Sequence, residues 1–513
     1  SFSDVSGEEQ NPITIASFGE GEKRPVISNS GTVIEFTRCS NLVIRDLCVV
    51  NTSTEEGAAH NTIWGHYSGA GNNRYENIYI INNEVMGQQC DGTGAQNSGI
   101  EIESTAASYS VCPTGLIENI YFCNNIVHDF NMRGIQITCW TGEPTGKTDV
   151  YADVYMDDNV VYNVGNVGIV IHATTGGSMN RNLVYNTGMR KQNNDTGQTG
   201  IMPISSRSIE VKNNVSYNNK NAGTTADAMA IDIDWNCSDI KVQYNHVWGN
   251  TGNGIGTMCV QDIQIINNRV ESSQCLTNQT GQIQISNFTP RWDGIEFYSA
   301  SDVIVSGNLI KGTPDNTSFF RAQHFGGDVD WENNVFSENH CVYEGVNYAR
   351  INYVSIDAQV PWYKFADNKY YAKETKIFNC TDGTPLSQIN ASDGAEQYSG
   401  SSEFAAWAKR DLGSTFETYD EAKPGTPYGG TAVYENGALM LTWEKPDGNI
   451  WHYNVYMIDA DRQGYDYRDL LDWSFEERYI FSPKYAGKYL IYIEAESNTG
   501  VIGAPFCFKI NLK

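Results

Sequence analysis

The feature that most constrains the fold of this chain is a repeated pair of short apolar strands. The first strand carries Gly-Ile-x-Ile, and the second is followed by Asn-x-Val or Asn-x-Ile and a turn. The interval between first strands falls to about two dozen residues between Ala230 and Gly254, which is the length of one coil of a parallel β-helix. Longer intervals then indicate loop insertions. The first strand recurs as SGIEIES, RGIQITC, VGIVIHA, TGIMPIS, AMAIDIDW, NGIGTMC and DGIEFYS.

Strand alternation predicts which side chains face the core of such a solenoid. Coils stack roughly 4.8 Å apart, so equivalent residues form ladders along the axis, with Ile, Val and Asn positions inside. An antiparallel propeller or sandwich is the competing architecture, but its two-residue Asn-Gly or Asp-Gly hairpin turns are largely missing between these strands. The predicted inward ladder consists of Ile100, Ile135, Ile169, Ile231, Ile255 and Ile295.

The pattern predicts an all-β chain with two domains. A right-handed parallel β-helix is expected over residues 1–423, and a short amphipathic helix near residues 402–411 is expected to cap its open end. After a Lys-Pro-Gly-Thr-Pro linker, the strands lengthen and lose the coil motif. We therefore expect a small antiparallel β-sandwich over residues 424–513.

Charge and composition restrict the partners of the chain. With 34 Lys and Arg against 61 Asp and Glu, the net charge of -27 disfavours nucleic acid and anionic membranes. No apolar run approaches the roughly 20 residues that span a bilayer, and no signal peptide precedes Ser1, so a soluble chain is expected. The 12 Cys lack paired metal-ligand spacing, which predicts no metal cluster. Cys90 and Cys112 could form a disulfide in an oxidising compartment.

The strands with Gly-Ile-x-Ile also carry two outward columns of side chains. Asp232 and Asp234 share one strand face, with Cα atoms about 6.6 to 6.8 Å apart. Like charges at that distance raise one pKa, as a general acid requires; solvated surface acids are the plain alternative. The columns are Glu101, Gln136, Val170, Met202, Asp232, Gly256 and Glu296, and then Glu103, Thr138, His172, Asp234 and Tyr298.

In this register Glu296 lies two rungs from Asp232, beyond a glycine that leaves room for a sugar ring. A second acidic pair, Glu101 and Glu103, lies four coils earlier, at about 19 Å. That distance suits a distant subsite or a calcium ligand, with surface solvation as the plain alternative. His172 lies between the two pairs and could hydrogen-bond a sugar or assist acid/base chemistry, although a lone His is more often structural.

Aromatic residues at the strand ends are further candidates, because their faces could stack on sugars or anchor loops. The predicted substrate-binding residues are Glu101, Glu103, Gln136, His172, Trp140, Trp235, Trp292 and Tyr298.

The coil motifs and the closing Ser-Glu-Phe-Ala-Ala-Trp segment resemble the secreted right-handed parallel β-helix carbohydrate-active enzymes, a superfamily that includes pectate lyases and polygalacturonases. The resemblance covers about residues 12 to 415. It implies a secreted protein with catalytic groups on the exposed face of one parallel sheet. The C-terminal strands, with Trp443 early in them, resemble a fibronectin type III module that acts as a spacer or platform. We expect a monomer with a carbohydrate substrate and with no nucleic acid or membrane partner.

Glycoside hydrolysis needs two carboxyl groups, and inversion needs the wider separation of about 6.5 to 9.5 Å. Asp232, Asp234 and Glu296 offer that spacing, which predicts an inverting glycoside hydrolase that requires no cofactor and allows a structural calcium ion. A calcium-dependent lyase acting on a uronate polymer is the alternative. It needs a Lys or Arg base, and the outward columns above contain none, although Arg133, Arg207, Arg291 and Arg321 lie nearby in sequence. A non-catalytic glycan-binding solenoid is the third hypothesis.

Overall fold

The computed structural model shows an all-β protein, as predicted. Among the described residues the single helix is a 3-10 turn, Tyr467–Asp469, and no helix has the length and apolar character needed to cross a membrane. The structure describes residues 1–19, 21, 23–55, 59–67, 73–88, 97–104, 116–139, 150–190, 197–222, 227–274, 281–287, 291–292, 295–312, 318–324, 333–344, 348–355, 363–372, 377–382, 389–390, 411–412 and 415–512.

Three long parallel sheets form the β-helix, and successive coils add strands to each sheet in turn. The prediction of a parallel β-helix is therefore confirmed. The final pair of sheet 1 is antiparallel. Sheet 1 contains Phe2–Ser3, Ile34–Thr37, Asn61–His66, Ser98–Ser104, Ile135–Cys139, Ile169–His172, Ile201–Ile204, Ile231–Ile233, Ile255–Met258, Gly281–Asn287, Ser318–His324, Tyr348–Ser355, Ile377–Asp382 and Ile389–Asn390.

Sheets 2 and 3 have 13 strands each. Sheet 2 contains Ile13–Ala16, Leu42–Arg45, Tyr75–Ile81, Ile117–Cys123, Tyr151–Asp157, Thr174–Ser178, Arg207–Lys212, Ser238–Gln243, Gln261–Ile266, Ser301–Ser306, Asn334–Ser337, Tyr363–Ala366 and Asp411–Leu412. Sheet 3 contains Val26–Asn29, Cys48–Asn51, Glu84–Met86, Ile126–Phe130, Val160–Val164, Leu183–Tyr185, Val215–Tyr217, His246–Trp248, Arg269–Glu271, Leu309–Gly312, His340–Tyr343, Lys369–Ala372 and Thr415–Thr418.

The predicted isoleucine ladder is correct up to its last member. Ile255 is followed by Ile283 in the register of sheet 1, not by Ile295. Ile295 pairs instead with Trp292 in a two-stranded antiparallel hairpin, Arg291–Trp292 and Ile295–Glu296, in the connection from sheet 1 to sheet 2. The prediction failed for two reasons. In the strand GQIQISN the two Ile positions are shifted by one residue relative to the glycine, and the segment DGIEF matches the motif without being a strand of sheet 1. The observed ladder is Ile100, Ile135, Ile169, Ile201, Ile231, Ile255 and Ile283.

A ladder of buried asparagines accounts for the repeated Asn-Asn pairs. In the pair Asn213-Asn214 the first residue has φ 57°, a left-handed turn that Asn tolerates, and the second points inward. The Asn214 N–H donates to Asn245 Oδ1 at 2.9 Å, and its Nδ2 donates to the Met179 carbonyl at 2.7 Å. Because each amide satisfies buried backbone groups, the ladder was correctly predicted inside. Its members are Asn83, Asn125, Asn159, Asn182, Asn214, Asn245, Asn268, Asn308, Asn339 and Asn368.

The C-terminal module is two small antiparallel sheets around a core that includes Leu441, Trp443 and Ile491. Its likeness to fibronectin type III and the boundary at residue 424 stay predictions. The predicted cap helix lies mostly outside the described residues, and Asp411 at its end belongs to a strand of sheet 2. One sheet contains Tyr428–Glu435, Ala438–Glu444 and Arg478–Phe481, and the other contains Leu470–Ser474, His452–Asp459, Gly487–Glu496 and Phe506–Leu512.

The module packs against the outer side of sheet 3. Arg269 forms a buried ion pair with Glu496 and its Nη2 donates to the Gly500 carbonyl at 3.0 Å. The His340 ring stacks on Trp451 with centroids 3.8 Å apart. Sheet 3 is therefore the side of the solenoid that meets the module, while the predicted site lies on sheet 1.

Candidate functional site

The outer row of sheet 1 follows the predicted order as far as Gly256, which pairs with Asp232. Beyond it the register continues to Gln284 and then Arg321. Glu296 is therefore not in this row. The row also continues beyond the predicted column to a basic residue, Arg321, in the strand Ser318–His324. The Arg321 side chain is buried.

Asp232 and Asp234 form the centre of the candidate site. Asp232 is 3% exposed, and its Oδ1 has no hydrogen-bond partner among the described residues. Asp234 follows the strand Ile231–Ile233, is half-buried, and its Oδ1 accepts a hydrogen bond from the N–H of Trp235 at 2.8 Å. The strand thus brings together the two carboxyl groups that the sequence pattern predicted on one face.

A third carboxyl group, that of Asp227, belongs to the same site and was missed by sequence reasoning. It is buried, and its carboxylate accepts a hydrogen bond from the N–H of Gly197. Asp227 lies outside the strands and has φ 60°, so strand alternation says nothing about the direction of its side chain. Its only sequence signal is its position five residues before Asp232. We call Asp227, Asp232 and Asp234 the aspartate cluster.

Burial raises the pKa of both strand carboxyls. For Asp232, desolvation followed by the charges of Asp234 and Asp227 raises the pKa well above its ordinary value. For Asp234, desolvation raises the pKa to about 7, with the Trp235 N–H opposing and the charge of Asp227 assisting. The pair therefore retains a proton near neutral pH and titrates as a coupled unit.

Apolar side chains surround the aspartate cluster. A Cβ added to Gly256 would lie 2.1 Å from Met229 Sδ, so the gap expected to admit a sugar ring is filled by Met229. The Trp235 ring meets Phe297 edge-on at 5.7 Å, and Met202 packs in the same apolar patch as Trp235. This surrounding is the physical source of the desolvation.

Of the remaining predicted residues, Trp292, Glu296 and Tyr298 lie in the connection that follows the sheet 1 strand Gly281–Asn287. Glu296 pairs with Arg291 in the hairpin; the side chains of Glu296 and Trp292, and all of Trp140, lie outside the described residues. Tyr298 is not in the second outward column, where Met258 takes the place after Asp234. The Tyr298 N–H donates to Asn236 Oδ1 at 2.9 Å, which holds this connection beside the strand end.

The second predicted spot is a polar cluster at the rung of Glu101. Glu101 pairs with Gln136, and Glu103 pairs with Thr138. The Thr138 hydroxyl donates to Glu101 Oε1 at 3.1 Å, while Gln136 Oε1 has no partner among the described residues. Burial raises the pKa of Glu101, although the charge of Arg133 opposes the rise.

His172 is fully buried beside this cluster. Burial and the charge of Arg133 lower the His172 pKa to about 3, and its Nδ1 accepts the Cys139 N–H at 3.4 Å. The imidazole is therefore neutral at physiological pH, which disfavours its predicted role in acid/base chemistry. Among the described residues no group of three His, Cys, Asp or Glu is arranged to hold a metal ion.

No protein-family model matches this chain, and no curated protein matches it. A GH136 lacto-N-biosidase from Eubacterium ramulus is similar in structure, with a TM-score of 0.42 and 15% identity over 73% of this chain and 59% of that enzyme. A mannuronan C-5 epimerase A-module from Azotobacter vinelandii has a TM-score of 0.42 and 15% identity, covering 67% and 88%. An alginate lyase from Paenibacillus sp. has a TM-score of 0.36 and 12% identity, covering 67% and 97%. These are carbohydrate-acting enzymes, and the likeness extends to the fold alone.

Proposed function

We propose that this chain is a glycoside hydrolase whose acid/base groups come from the aspartate cluster. The observation that carries the proposal is a pair of neighbouring carboxyls, buried Asp232 and half-buried Asp234, without a cationic partner among the described residues. A buried carboxylate kept for stability is normally paired, because an unpaired one is costly. A pair that holds a proton near neutral pH is instead suited to proton transfer.

The environments of the two carboxyls divide the roles between them. Asp232, the more deeply buried, is the proton donor to the glycosidic oxygen. Asp234, which is half-exposed and has a pKa raised to about 7, accepts a proton from the attacking water. Their Cα atoms, about 6.6 to 6.8 Å apart, allow the separation of about 6.5 to 9.5 Å between carboxyl groups that inversion needs. Asp227 supplies the negative charge that keeps the proton on the pair.

Glu296 stays in the proposal as a further carboxyl near this centre. The next residue, Phe297, contacts Trp235, so the hairpin backbone lies beside the end of the catalytic strand. Tyr298, Trp235 and Trp292 are proposed to contact the sugar there, whereas Trp140, which directly follows the strand of Gln136, is proposed to contact a more distant sugar.

The polar cluster of Glu101, Glu103, Gln136 and His172 is proposed as a more distant contact for the same chain of sugars. Four rungs separate Glu101 from Asp232, about 19 Å along the axis. Gln136 Oε1, which has no hydrogen-bond partner among the described residues, supports this role, because a buried acceptor is suited to a sugar hydroxyl.

One observation favours a second candidate, a uronate lyase. Arg321 is buried in the same outer row as Asp232, and a guanidinium binds carboxylates well. Three rungs, about 14 Å, separate Arg321 from Asp232. The two groups would therefore contact different sugars, and the hydrolase accounts better for the aspartate cluster.

The test is replacement of each carboxyl by its amide. Asp232→Asn and Asp234→Asn should each lower the release of reducing ends from a susceptible polysaccharide by about 10² to 10⁴, with the circular dichroism spectrum unchanged. Asp262→Asn, at an exposed aspartate in sheet 2, is the matched control and should keep full activity. If both cluster variants keep more than a tenth of the wild-type rate, the aspartates are not the catalytic groups.

Product analysis separates the hydrolase from the lyase. New reducing ends without ultraviolet absorbance from unsaturated uronates indicate hydrolysis, and that absorbance indicates elimination. Chelation by EDTA should leave turnover nearly intact. Complete loss that calcium reverses would favour the lyase.

A further inference from the structure

A strained strap leads into the catalytic strand. The strap is residues 227–230, and it begins with two consecutive left-handed residues, Asp227 at φ 60° and Ala228 at φ 64°. This region is unfavourable for Ala, and such strain persists only where surrounding contacts impose it. The Ala228 N–H donates to the Gln198 carbonyl at 2.7 Å, and the Ala228 carbonyl accepts the Gly252 N–H at 3.0 Å.

Close packing holds the strap against the next coil. A Cβ added to Gly252 would lie only 1.9 Å from the Asp227 carbonyl oxygen, so the strap approaches the backbone as closely as a glycine allows. The Asp227 side chain is tied to the Gly197 N–H on the opposite side. The strap is therefore fixed to neighbouring segments on both sides before the strand begins.

The strap places Met229 beside the proposed acid. Met229 is 2% exposed, and its Sδ lies 2.1 Å from where a Cβ on Gly256 would stand. Gly256 is the register partner of Asp232 on the next rung. The thioether thus fills the outer-face space adjoining the Asp232 carboxyl.

A thioether in this place has a definite physical effect. It offers no hydrogen-bond donor to a carboxylate and is only a weak acceptor, so it cannot replace the water that it excludes. An ionised carboxylate next to it loses solvation, whereas a protonated carboxyl loses much less.

We infer that Met229 is a positioning residue for the proposed acid: the strap holds its thioether over Gly256, where it keeps water away from the Asp232 carboxyl. The inference rests on the proposed function for its catalytic meaning, while the shielding of Asp232 can be measured without turnover. The titratable groups that interact with Asp232 among the described residues are Asp227 in the strap, Asp234 on its own strand and the thiol of Cys237.

The experiment measures the titration of Asp232 directly. Infrared difference spectra of wild type minus Asp232→Asn isolate the carbonyl stretch of its protonated carboxyl, and the band is followed against pH. Met229→Ala should admit water and lower the midpoint by about one pH unit. Met229→Leu, which restores the apolar volume, should return the midpoint to within a few tenths of the wild-type value.

A second variant acts without removing the methionine. Gly256→Ala places a Cβ against Met229 Sδ, which must move, so the midpoint should again fall. Met156→Ala is the matched control, because Met156 is fully buried in the solenoid core; it should lose stability and leave the midpoint unchanged.

The pH profile of kcat provides the catalytic readout. In Met229→Ala the alkaline limb should move to lower pH by the same amount as the infrared midpoint, with a smaller change in KM. Folded Met229→Ala and Gly256→Ala proteins that titrate at the wild-type midpoint would overturn the inference. If the midpoint falls as expected but Asp232→Asn is fully active, the shielding is real and the proposed catalytic role of Asp232 is wrong.

Discussion

Two regions of this molecule bury carboxyl groups, and burial has opposite outcomes in them. At the contact between sheet 3 and the C-terminal module, Glu496 is fully buried. Burial by itself would raise its pKa, but the charges of Arg269 and His452 hold the pKa at about 2. On the outer face of sheet 1 burial prevails, and the pKa of Asp234 rises to about 7.

The two regions differ in whether a cation lies beside the carboxyl group, not in how deeply the carboxyl group is buried. Arg269 reaches Glu271 at 2.6 Å and also pairs with Glu496, so both carboxylates at the module contact stay ionised. Asp232 has other carboxyls as its charged neighbours. A buried acid with a cation serves stability, and a buried acid without one is available for proton transfer.

The prediction with the largest expected effect distinguishes the two regions. In each region one acid is replaced by its amide. Glu496→Gln leaves Arg269 buried with a weakened partner and should lower the free energy of unfolding by about 3 to 5 kcal/mol. Its rate per folded molecule should stay at the wild-type level. Asp232→Asn should do the reverse, with a rate loss of about 10² to 10⁴ and no loss of stability. Urea unfolding and turnover assays on both proteins check this; a stability loss in Asp232→Asn would remove the distinction.

The next prediction adds a cation to the site on sheet 1, where the charged neighbours of Asp232 among the described residues are carboxyls. Met202 lies one rung before Asp232, about 4.8 Å along the axis. Met202→Lys should lower the pKa of Asp232 by about 1 to 3 units, and the alkaline limb of the kcat profile should move down by the same amount. Met202→Leu is the control and should leave the limb in place. An unmoved limb in Met202→Lys would mean that a neighbouring charge does not govern this acid.

The sequence predicts the part of this contrast that depends on residues close together in the chain. It does not predict the part that depends on residues far apart in the chain. The isoleucine row and the pair Asp232 and Asp234 follow from alternation within one strand, which is local. Arg269 and Glu496 are 227 residues apart, and no repeat or spacing relates them. Their contact is set by how the module packs on sheet 3, so the paired region was absent from the sequence reasoning.

Inside the candidate site the same limit applies. Asp227 lies outside the strands, where no strand period fixes the direction of a side chain. Ile295 and Glu296 match the coil motif in sequence but are not in a coil strand, because they belong to a hairpin insertion whose sequence resembles the motif. Counting the coils would have placed these two residues correctly. The strand Gly281–Asn287 makes that count difficult from the sequence, because its motif is shifted by one residue.

The pH dependence of stability should have opposite signs in the two regions. The Glu496 pKa is lower in the folded state than its ordinary 4.5, so its contribution is present above about 4.5 and is lost as pH falls toward 2. The Asp234 pKa is raised from 3.8 to about 7, so its contribution is present below 3.8 and is lost as pH rises through 7.

Urea midpoints at several pH values test these signs. The stability of Asp234→Asn relative to wild type should increase from pH 4 to pH 8, whereas the deficit of Glu496→Gln should shrink below pH 4. Parallel curves for the two variants would show that the carboxyls do not differ in the way that the structure indicates.

The prediction with the smallest expected effect asks whether the ionised carboxylates at the module contact depend on one cation or on several. Lys311 Nζ lies 3.8 Å from Glu271 Oε1 and 3.9 Å from Glu344 Oε1, distances that are too long for hydrogen bonds. Lys311→Met keeps most of the apolar part of the side chain and leaves Glu271 paired with Arg269, so the free energy of unfolding should fall by less than about 1 kcal/mol. Arg269→Met, measured beside it, should cost about 3 to 5 kcal/mol, because it leaves buried carboxylates without their main partner. Equal losses in the two variants would mean that the carboxylates at the module contact are held by the summed charge of the surface and not by Arg269.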